Sequence, residues 1–355
     1  MEKAAVIIVN YKDYAKKFLT ECRDSLRQQT YPDFQVYIVD NASSEDTRSF
    51  LSESFPEAKI IPRLDGNYCA GNNAGIKQAM ADGFELFVIA NMDVKFDENW
   101  LAELVKAVKQ EKVGIAQSKV LLYPQAEAEQ KRPLINTLGN KIHFLGFGFT
   151  SHYRQPDSDV DNLVRDIDGY ASGCSLIIKK EVLDRIGFYD EEYYMYHDDM
   201  EMGWRAKLAG FRIVLAPRSI IYHKYEFQRS VRMLYYMERN RFLAIFSYYQ
   251  PLTICLLLPT IFAFELGMLF FSIIHGSLLL RLKIYFYFLR PLSWKHIKNA
   301  RRAVAKFRIK KDAEIINDFA GRIEFQEINN WLLERLVNPV LDFYWRLIRE
   351  IIRPH

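Results

Sequence analysis

The sequence predicts an α/β protein built on a doubly wound, mostly parallel sheet, followed by a helical region of different character. Short apolar, β-prone runs alternate with segments of helical periodicity over the first two thirds of the chain. The run at residues 84–94, FELFVIANMDV, turns polar directly after Ala90, as a doubly buried strand does where it leaves a parallel sheet. After residue 241 a long apolar segment begins, which marks the second region.

The predicted strands and helices follow in a regular order. Strands are expected at residues 4–10, 35–40, 59–62, 84–90, 113–117, 170–179 and 211–216. Helices are expected at residues 11–30, after an N-cap at Ser43 or Ser44, and at residues 74–81, 100–110, 181–186 and 194–209. The first helix shows its periodicity best, because Tyr14, Phe18, Cys22 and Leu26 recur every four residues on one face. Such alternation over short connections is typical of a doubly wound sheet.

Two segments do not fit this alternation. Residues 67–73, NYCAGNN, are predicted to form a loop in which Gly71 permits a positive φ and a close approach of the backbone to a phosphate or sugar. The loop matches neither the dinucleotide-binding glycine motif nor the P-loop, so its composition alone does not identify a phosphate site. Residues 143–150, HFLGFGFT, suit either a strand or a mobile lid.

Composition indicates a reducing compartment and a nearby membrane. Half of the 355 residues are hydrophobic and 14% are aromatic, which is a high aromatic content for a cytosolic enzyme. The four cysteines form no CxxC or Cys/His pattern and are expected to be free thiols. Residues 4–10 have only the length of a strand and are followed by charge, so no signal peptide is predicted.

The net charge of +4 conceals two regions of opposite sign. Residues 1–225 contain 28 Lys and Arg against 33 Asp and Glu, whereas residues 226–355 contain 20 against 11. An acidic first region fits a metal-dependent site, and a basic second region fits anionic lipid or nucleic acid. No nucleic-acid-binding motif accompanies the basic region, so we predict no nucleic-acid partner.

Residues 242–280 and the block after them predict attachment to an anionic membrane surface. The 39 residues of this segment include one charge, Glu265, and a membrane span needs roughly 20 apolar residues. Prolines and glycines interrupt the segment, so one crossing, a re-entrant hairpin, a buried helix pair and an interface in a homo-oligomer all stay open. Residues 281–311 then carry eleven Lys and Arg and no acidic residue. An amphipathic carboxyl-terminal helix is predicted to present one apolar face, formed by Val340, Tyr344, Leu347, Ile348, Ile351 and Ile352.

Two carboxylates follow predicted strands at the edge where parallel sheets bind ligands. Asp93 could hold a divalent cation, which in turn could hold a diphosphate. Alternatively, it caps a helix that begins near Asp97. Asp40 could accept a hydrogen bond from the N3–H of a pyrimidine base, or it caps the end of its strand.

The densest acidic cluster is HDDME at residues 197–201, directly after the aromatic run YYMY. Burial beside aromatic rings and the proximity of a second carboxylate both raise a carboxylate pKa toward the range that suits a general base. The alternative is a solvated helix start, where the helix dipole favours acidic residues. His223 follows the last predicted strand and is either a ligand or a structural histidine. Arg239 could hold phosphate oxygens, or it belongs to a basic cluster that flanks a membrane.

Taken together, these motifs resemble those of the family 2 glycosyltransferases, nucleotide-sugar enzymes of the GT-A fold. The matching stretches are VIIVNY at residues 6–11, VDNASSED at 39–46, GNYCAGNNAGI at 66–76, ANMDV at 90–94, residues 172–210, and ERNR at 238–241. Their order and spacing also look like the rhamnosyltransferase-like enzymes of bacterial surface polysaccharide assembly. The implied division is a GT-A domain at residues 1–240, an apolar membrane-associated segment at 241–290, and basic, amphipathic helices at 291–355.

The resemblance implies a role for each matching residue. Asp199 would be the general base, and Asp198, which replaces the family's usual Glu, is the alternative. Asp93 would bind Mg²⁺ or Mn²⁺ with His223 as a further ligand, while Asn91 stands where the family often has the first Asp of its metal motif. Asp40 would contact a uracil or thymine base. Donor binding is assigned to Asn10, Asp40, Asn67, Asn73, Asn91, Asp93, Trp204 and Arg239.

The implied reaction is inverting, metal-dependent sugar transfer from dTDP-rhamnose or a UDP-sugar to a polysaccharide or lipid-linked glycan acceptor. It would take place at the cytoplasmic face of the cell membrane. A nucleotidyltransferase would need a glycine-rich, basic loop after the first strand, and residues 10–13 do not provide one. The remaining alternative is a catalytically silent, membrane-bound sugar-binding or scaffold protein, against which Asp93 and Asp199 argue.

Overall fold

A computed structural model of the protein describes residues 2–226, 233–324 and 330–352. The chain divides into two units. The first comprises residues 1–140, 150–206 and 211–226, and the second comprises residues 141–149, 207–210 and 227–355. This division differs from the three parts predicted from the sequence, because the two predicted carboxyl-terminal parts belong to one unit.

The first unit contains the predicted alternation of strands and helices. Its helices in the described residues are α1 (Tyr14–Arg27), α2 (Glu45–Ser54), α3 (Tyr68–Ala81), α4 (Trp100–Val108), α5 (Glu127–Lys131), α6 (Lys180–Ile186) and α7 (Asp198–Leu208), of which α7 ends in the second unit. The strands, in chain order, are β1 (Ala4–Tyr11), β2 (Phe34–Asn41), β3 (Lys59–Arg63), β4 (Leu86–Ala90), β5 (Val94–Phe96), β6 (Val113–Leu122), β7 (Ile135–Thr137), β8 (Asn140–Ile142), β9 (Gly148–Thr150), β10 (Arg165–Asp166), β11 (Ser175–Lys179) and β12 (Arg212–His223). Residues 143–150 thus end in a strand, one of the two predicted outcomes.

The main sheet has ten strands within the described residues, and its direction corrects the prediction. The strand order is β10-β12-β6-β11-β4-β1-β2-β3, with β5 paired to β12 and β7 paired to β6. The β3-β2-β1-β4 half is parallel, as predicted, and so is the pair of β12 and β6. However, β11 lies antiparallel between β4 and β6, and β5, β7 and β10 also pair antiparallel. The sheet is therefore mixed. The sequence did not predict the antiparallel strands, because an apolar run buried on both faces has the same composition whichever way its neighbours run.

The strand register brings polar residues to one region of the sheet. Asn10 lies opposite Asp40, and Ile8 lies opposite Ala90, so the chain leaves β4 beside Asn10. The last strand was predicted to end at residue 216, but β12 continues through a register shift as far as His223. This extension pairs His223 with Val94 of β5, the residue after Asp93.

The segment at residues 67–73 is a helix rather than the predicted glycine loop. Helix α3 begins at Tyr68, and the Asn67 side chain caps it by accepting a hydrogen bond from Ala70 N–H. A Cβ on Gly71 would lie 3.1 Å from Val9 Cγ1, and one on Gly75 would lie 2.5 Å from Ile7 Cγ2. These glycines therefore let α3 pack closely on β1, and Gly71 has no positive φ. The prediction of a backbone cradle for phosphate at Gly71 is wrong for this reason.

The second unit is mainly helical in its described residues, which also include residues 141–142 of β8 and residues 148–149 of β9. Its helices there are α8 (Leu234–Tyr248), α9 (Pro251–Ile274), α10 (Leu278–Leu289), α11 (Pro291–Phe307), α12 (Asp312–Ile315) and α13 (Asn338–Ile352). Among the residues that the structure describes, α9 alone is long and apolar enough to cross a membrane, with a mean hydropathy of 2.2. Only 11% of its most apolar stretch is buried, so the unit encloses little of this helix.

Glu265, the one charge in the apolar segment, is paired inside the second unit. It forms an ion pair with Arg241 of α8, and its Oε2 lies 3.2 Å from Arg281 Nη1 of α10. The same Arg281 nitrogen lies 2.8 Å from Glu238 Oε2. Two acidic and two basic side chains thus link α8, α9 and α10, and they spare each charge the cost of unpaired burial.

Helices α9 and α13 each leave an apolar stripe exposed. The stripe on α9 follows a helical repeat and consists of Leu258, Phe262, Leu266 and Phe270, all at least 47% exposed. On α13, Val340, Leu347 and Ile351 are exposed, whereas Ile348 and Ile352, predicted on the same face, are buried. The helix therefore has two apolar sides, one packed and one exposed, where the sequence predicted one.

Candidate active site

Asn10 and Asp40 form the first polar pair of the site. Asp40 is completely buried, and its Oδ1 accepts a hydrogen bond from Asn10 Nδ2 at 2.9 Å. Its Oδ2 accepts from Ser43 Oγ at 2.5 Å and from Arg48 Nε at 3.1 Å. Ala15 N–H donates to Asn10 Oδ1 at 2.9 Å. Both Asp40 oxygens are thus already engaged, so the pair braces the ends of β1 and β2, and a contact from Asp40 to a base stays a prediction.

Asp93 does not cap a helix, which was the alternative to a ligand role. The chain continues from it into β5, and α4 begins only at Trp100. Asp93 is 4% exposed, and its Oδ2 accepts a hydrogen bond from Tyr14 OH at 2.6 Å. Its Oδ1 lies 3.6 Å from His223 Nε2. The structure therefore brings together the two residues predicted to bind a metal.

The geometry around His223 suits a metal ligand. Its Nδ1 lies 2.9 Å from Asn136 Oδ1, and because an amide oxygen only accepts, Nδ1 carries the hydrogen and Nε2 faces Asp93. Burial opposes protonation of the ring, but the neighbouring Cys174 and Asp93 favour it, and the balance raises the pKa of His223 well above its ordinary value. The raised pKa shows that the surroundings of the His223 ring favour a positive charge.

The residues present fit a divalent cation that is completed by substrate. Among the described residues, no group of three or more His, Cys, Asp or Glu side chains could hold a metal ion. The protein would therefore contribute Asp93 and His223, and a diphosphate and water would supply the other ligands, as is common for Mg²⁺.

Residues around the start of α3 anchor a neighbouring loop. Asn73 Nδ2 donates to Tyr189 O and Glu191 Oε1, both at 2.9 Å, and Asn67 Nδ2 donates to Glu191 O at 2.9 Å. Asn91 is partly exposed, and its Oδ1 accepts from Tyr68 OH at 3.2 Å. Asn73 is 2% exposed and positions this loop, and its assignment to direct donor contact stays a prediction.

The chain enters α7 through a run of unusual backbone conformations. Residues 194–197 were predicted to be helical, but Tyr194, Tyr196 and His197 have φ values of 65°, 62° and 59°. Non-glycine residues with such φ values are uncommon, and they cluster where a surrounding structure holds a functional segment in place. Here Tyr194 O accepts hydrogen bonds from Tyr68 N–H and Cys69 N–H, which ties the run to α3. The strain lies directly before Asp198 and Asp199.

Asp199 lies in the first turn of α7, and two backbone N–H groups hold its carboxylate. Gly173 N–H donates to Oδ2 at 3.0 Å, and Met200 N–H donates to Oδ1 at 2.8 Å. Burial raises the pKa of Asp199 to about 6, although these two N–H groups lower it. Gly173 precedes Cys174, whose carbonyl accepts from Asn91 N–H at 3.0 Å, so the segment just before β11 connects Asp199 to the residue that follows β4.

Asp198 has a different environment. It is 7% exposed, and burial together with the adjacent Asp199 raises its pKa well above the usual range. Burial and the charge of Asp198 also raise the pKa values of Tyr68 and Cys69, so Asp198 faces the start of α3. The two adjacent carboxyls therefore differ, because Gly173 N–H and Met200 N–H hold Asp199 and not Asp198.

Glu201, Trp204 and Arg205 fix the position of α7. Arg205 and Glu201 form a buried bidentate ion pair, with Nε–Oε1 and Nη2–Oε2 distances of 2.5 and 2.6 Å. Arg205 also donates to the carbonyl oxygens of Ile186 and Phe188 at 2.5 and 2.8 Å. Trp204 has no exposed surface and supports the helix that carries Asp199, and its assignment to donor contact stays a prediction.

We expect Arg205→Met to lower the free energy of unfolding by about 3–5 kcal/mol, because it leaves the Glu201 carboxylate buried without its partner. Urea unfolding followed by circular dichroism measures this change. The matched control is Arg212→Met, which breaks the exposed pair with Asp166 and should cost less than about 1 kcal/mol. Equal effects of the two substitutions would contradict the structural role of Arg205.

Arg239 belongs to the second unit, whereas the other predicted donor-binding residues belong to the first. Its contact with the diphosphate stays a prediction. It is buried, and it donates to Asn240 Oδ1 from Nε at 2.9 Å. Its guanidinium carbon lies 5.6, 5.3 and 5.0 Å from the ring centroids of Tyr235, Tyr236 and Tyr287. Arg239 is therefore enclosed by tyrosine rings.

Several residues of the site were missed at the sequence level. Tyr14 was recognised only as part of an apolar helix face, although its hydroxyl contacts Asp93. Asn136 lies in a segment with no pattern, and nothing in the sequence pointed to its contact with His223. Gly173 was placed inside the strand predicted at residues 170–179, so its role as a donor to Asp199 was missed as well.

Comparison with known proteins decides the family. The family model described as "Glycosyl transferase family 2" matches residues 5–187, slightly more than half of the chain. The chain belongs to glycosyl transferase family 2. This confirms the resemblance found from the motifs. The match to family 2 ends before α7, so it includes Asp40 and Asp93 but neither Asp199 nor His223.

Two curated relatives are enzymes or proteins of glycan assembly. The chain is 28% identical over 227 residues to "O-antigen biosynthesis protein RfbC" of Myxococcus xanthus, covering 61% of this chain and 17% of that protein. It is 24% identical over 238 residues to the "N-acetylglucosaminyl-diphospho-decaprenol L-rhamnosyltransferase" of Mycobacterium tuberculosis, covering 62% of this chain and 75% of that protein. The chain therefore spans a small part of the first relative and about three quarters of the second.

A solved structure supports the fold. The crystal structure of GalNAc-T7 with UDP, GalNAc and Mn²⁺ aligns with a TM-score of 0.50 and 12% identity, covering 63% of this chain and 44% of that one. At this identity the likeness concerns the fold alone, and it agrees with a GT-A-like mixed sheet in this family 2 member.

Proposed function

We propose that this chain is an inverting glycosyltransferase that moves a sugar from a nucleoside diphosphate donor to a glycan acceptor. The observation that carries the proposal is the Asp199 carboxylate, which two N–H groups orient and whose pKa burial raises to about 6. A base with this pKa is largely ionised at neutral pH and still accepts a proton readily. The match to family 2 supports the reaction class.

The reaction would proceed in a single displacement. Asp199 takes the proton of the acceptor hydroxyl while that oxygen forms a bond to the anomeric carbon. The bond from this carbon to the diphosphate oxygen breaks on the opposite face, and the nucleoside diphosphate leaves with the bonding electrons. Asp93 and His223 would hold Mg²⁺ or Mn²⁺, which would neutralise charge on the leaving diphosphate. The Mn²⁺ in the GalNAc-T7 structure supports a divalent cation.

The relatives suggest the classes of donor and acceptor. The name of the Mycobacterium relative supports a rhamnosyl donor, for which we propose dTDP-rhamnose, and a lipid-linked glycan as acceptor, and the name of the Myxococcus relative supports a role in O-antigen synthesis. Incubation of the full chain with a panel of UDP- and dTDP-sugars and Mn²⁺ tests this. We expect release of nucleoside diphosphate from one donor. Binding without release from any donor would favour the silent sugar-binding protein instead.

The pH dependence should report the base. We expect kcat/KM to fall about tenfold per pH unit below an apparent pKa of about 6 and to be level above it, because only ionised Asp199 accepts the proton. Initial rates at saturating metal across pH 5–8 would measure the profile. An activity that stays constant down to pH 5 would exclude a base with this pKa.

We also propose that the second unit attaches the enzyme to the cytoplasmic face of a membrane. The exposed apolar stripe of α9 would insert, and the basic residues of α10 and α11 would add about 1 kcal/mol each near an anionic leaflet. The full chain should sediment with membranes and resist a wash at high salt, because salt screens charges but not apolar contacts.

A matched pair of variants tests this attachment. Phe262→Glu combined with Leu266→Glu should release protein from the membrane fraction, since charges oppose insertion. Leu163→Glu, which changes an exposed leucine of the first unit, should have no effect. Recovery of the unchanged full chain in the soluble fraction without detergent would contradict the proposal.

A further inference from the structure

A cavity of about 730 Å³ lies within the second unit, between the start of α8 and the helices α10 and α11. Its size falls in the range of small-molecule sites. Leu282, Phe286 and Leu289 form apolar walls, and Tyr235 and Tyr287 contribute aromatic rings. None of the residues predicted to bind donor lines it, and family 2 membership assigns it no role.

Two cations line the cavity. Lys283 and Arg290 are both exposed, and within the part of the chain that the structure describes no acidic side chain pairs with either. Lys283 Nζ lies 4.4 Å from the centroid of the Tyr235 ring, which keeps the ammonium at the cavity wall. The acidic residues of α8 and α9, Glu238 and Glu265, are neutralised by Arg241 and Arg281. The cavity therefore has a net positive character.

A third cation lies behind the aromatic wall. Arg239 is buried, and its guanidinium carbon lies 5.6 Å from the Tyr235 ring centroid and 5.0 Å from that of Tyr287. Both rings line the cavity. Two or three positive charges around one cavity match the charge of a diphosphate better than the single charge of a carboxylate, and Arg and Lys are the usual partners of phosphate oxygens.

The rim of the cavity is apolar and open. Leu279, Phe286 and Leu289 line the cavity and are 82%, 61% and 73% exposed. Leu292, the second residue of α11, is also 73% exposed. Contiguous exposed apolar side chains mark a site for a membrane or an apolar ligand. A ligand that satisfies both the cations and this rim must carry an anionic head and a hydrocarbon chain.

We infer that this cavity binds a lipid diphosphate, with the phosphates at Lys283 and Arg290 and the hydrocarbon chain along Phe286 and Leu289. The identification of this lipid as the carrier of the acceptor glycan rests on the proposed function, whereas the binding itself does not. Phosphate oxygens would accept hydrogen bonds from the ammonium and guanidinium groups. The hydrocarbon chain would cover apolar surface that is otherwise exposed.

Calorimetric titration of the full chain in detergent micelles tests the inference. The probe is farnesyl diphosphate, compared with inorganic pyrophosphate and with farnesol. We expect farnesyl diphosphate to bind at least about tenfold more tightly than either fragment, because it alone uses both the charged and the apolar parts of the cavity. Equal affinity for pyrophosphate would overturn the inference in favour of a free-phosphate site, and equal affinity for farnesol would reduce it to an apolar groove.

Three variants separate the cavity from general surface charge. Lys283→Gln and Arg290→Gln should each weaken binding of farnesyl diphosphate about tenfold or more, since charge-assisted hydrogen bonds are lost. Lys298→Gln removes the same charge from the exposed surface of α11 outside the cavity and should leave binding unchanged. The same loss in all three variants would show attraction to charged micelles rather than a site, and would overturn the inference.

Activity measurements keep this inference distinct from the proposed function. In Lys283→Gln, KM for a lipid diphosphate-linked acceptor should rise at least about tenfold while KM for the nucleotide sugar stays constant. Tight binding of farnesyl diphosphate by a chain that never releases nucleoside diphosphate would refute the proposed function and leave the site standing. Sugar transfer with no measurable binding of farnesyl diphosphate would refute the site and leave the function standing.

Discussion

Replacement of Asp199 by asparagine should lower kcat by roughly 10²–10⁴, the range that general bases contribute, and should leave donor binding largely intact. Asparagine has nearly the same shape, and its single side-chain oxygen can keep one of the two hydrogen bonds from Gly173 N–H and Met200 N–H. What it loses is the ability to take a proton. Single-turnover kinetics at saturating donor, with donor affinity measured separately, would show whether the loss lies in chemistry.

The adjacent residue provides the matched control. Asp198→Asn changes a carboxyl whose pKa burial and Asp199 raise, and which neither Gly173 N–H nor Met200 N–H orients. We therefore expect a much smaller loss in kcat than for Asp199→Asn. If only the Asp198 variant is inactive, the base has been assigned to the wrong carboxyl by one residue.

Thermal stability adds a second readout with a definite sign. The pKa of Asp199 is raised from 3.8 to about 6 in the folded protein, so the folded state binds more protons than the unfolded state between these pH values. Stability is therefore lost as the pH rises through this window, and ionised Asp199 is a cost above pH 6. Asp199→Asn removes that cost but also gives up one of the two hydrogen bonds, so its Tm at pH 7 should stay close to that of the unchanged protein. A loss of activity with a preserved Tm cannot be ascribed to unfolding.

The sequence predicted those parts of the site that depend on strand ends. Asn10, Asp40 and Asp93 follow apolar runs whose period is unambiguous, and the parallel order of β2, β1 and β4 brings those ends together. An N-cap at Ser43 or Ser44 was also predicted, and the structure shows that it is Ser44, whose hydroxyl accepts from Thr47 N–H. In these cases local composition and neighbouring contacts favour the same structure.

The prediction failed where long-range packing overrides local preference. Asn67, Gly71 and Asn73 have turn-forming composition, yet α3 forms because the glycines let it lie against Val9 and Ile7 of β1. Conversely, residues 194–197 have aromatic, helix-compatible composition but adopt positive φ values where contacts with α3 hold them. A one-dimensional pattern contains neither constraint. Similarly, the antiparallel placement of β11 depends on its pairing with β4 and β6 rather than on its own residues.

Asp93→Ala should reduce activity by at least 10²–10³, the scale for removal of one group that stabilises charge in a transition state. The substitution leaves His223 as the remaining predicted ligand, because no third His, Cys, Asp or Glu side chain in the described residues completes a metal cluster. EDTA should abolish turnover of the unchanged protein, and added Mn²⁺ should restore it. Electron paramagnetic resonance of bound Mn²⁺ would measure the loss of metal binding independently of activity.

Tyr14→Phe provides a graded test of the same site. It removes the 2.6 Å hydrogen bond to Asp93 Oδ2 and keeps both the aromatic ring and the carboxylate. Groups that orient a metal ligand typically change metal affinity by about 10–100-fold, so Mn²⁺ binding should weaken by that factor while saturating Mn²⁺ recovers most of the activity. Asp93→Ala should not recover under the same conditions, because it lacks the ligand itself. Full activity of the unchanged protein in EDTA, or equal behaviour of the two variants, would remove Asp93 from the metal site.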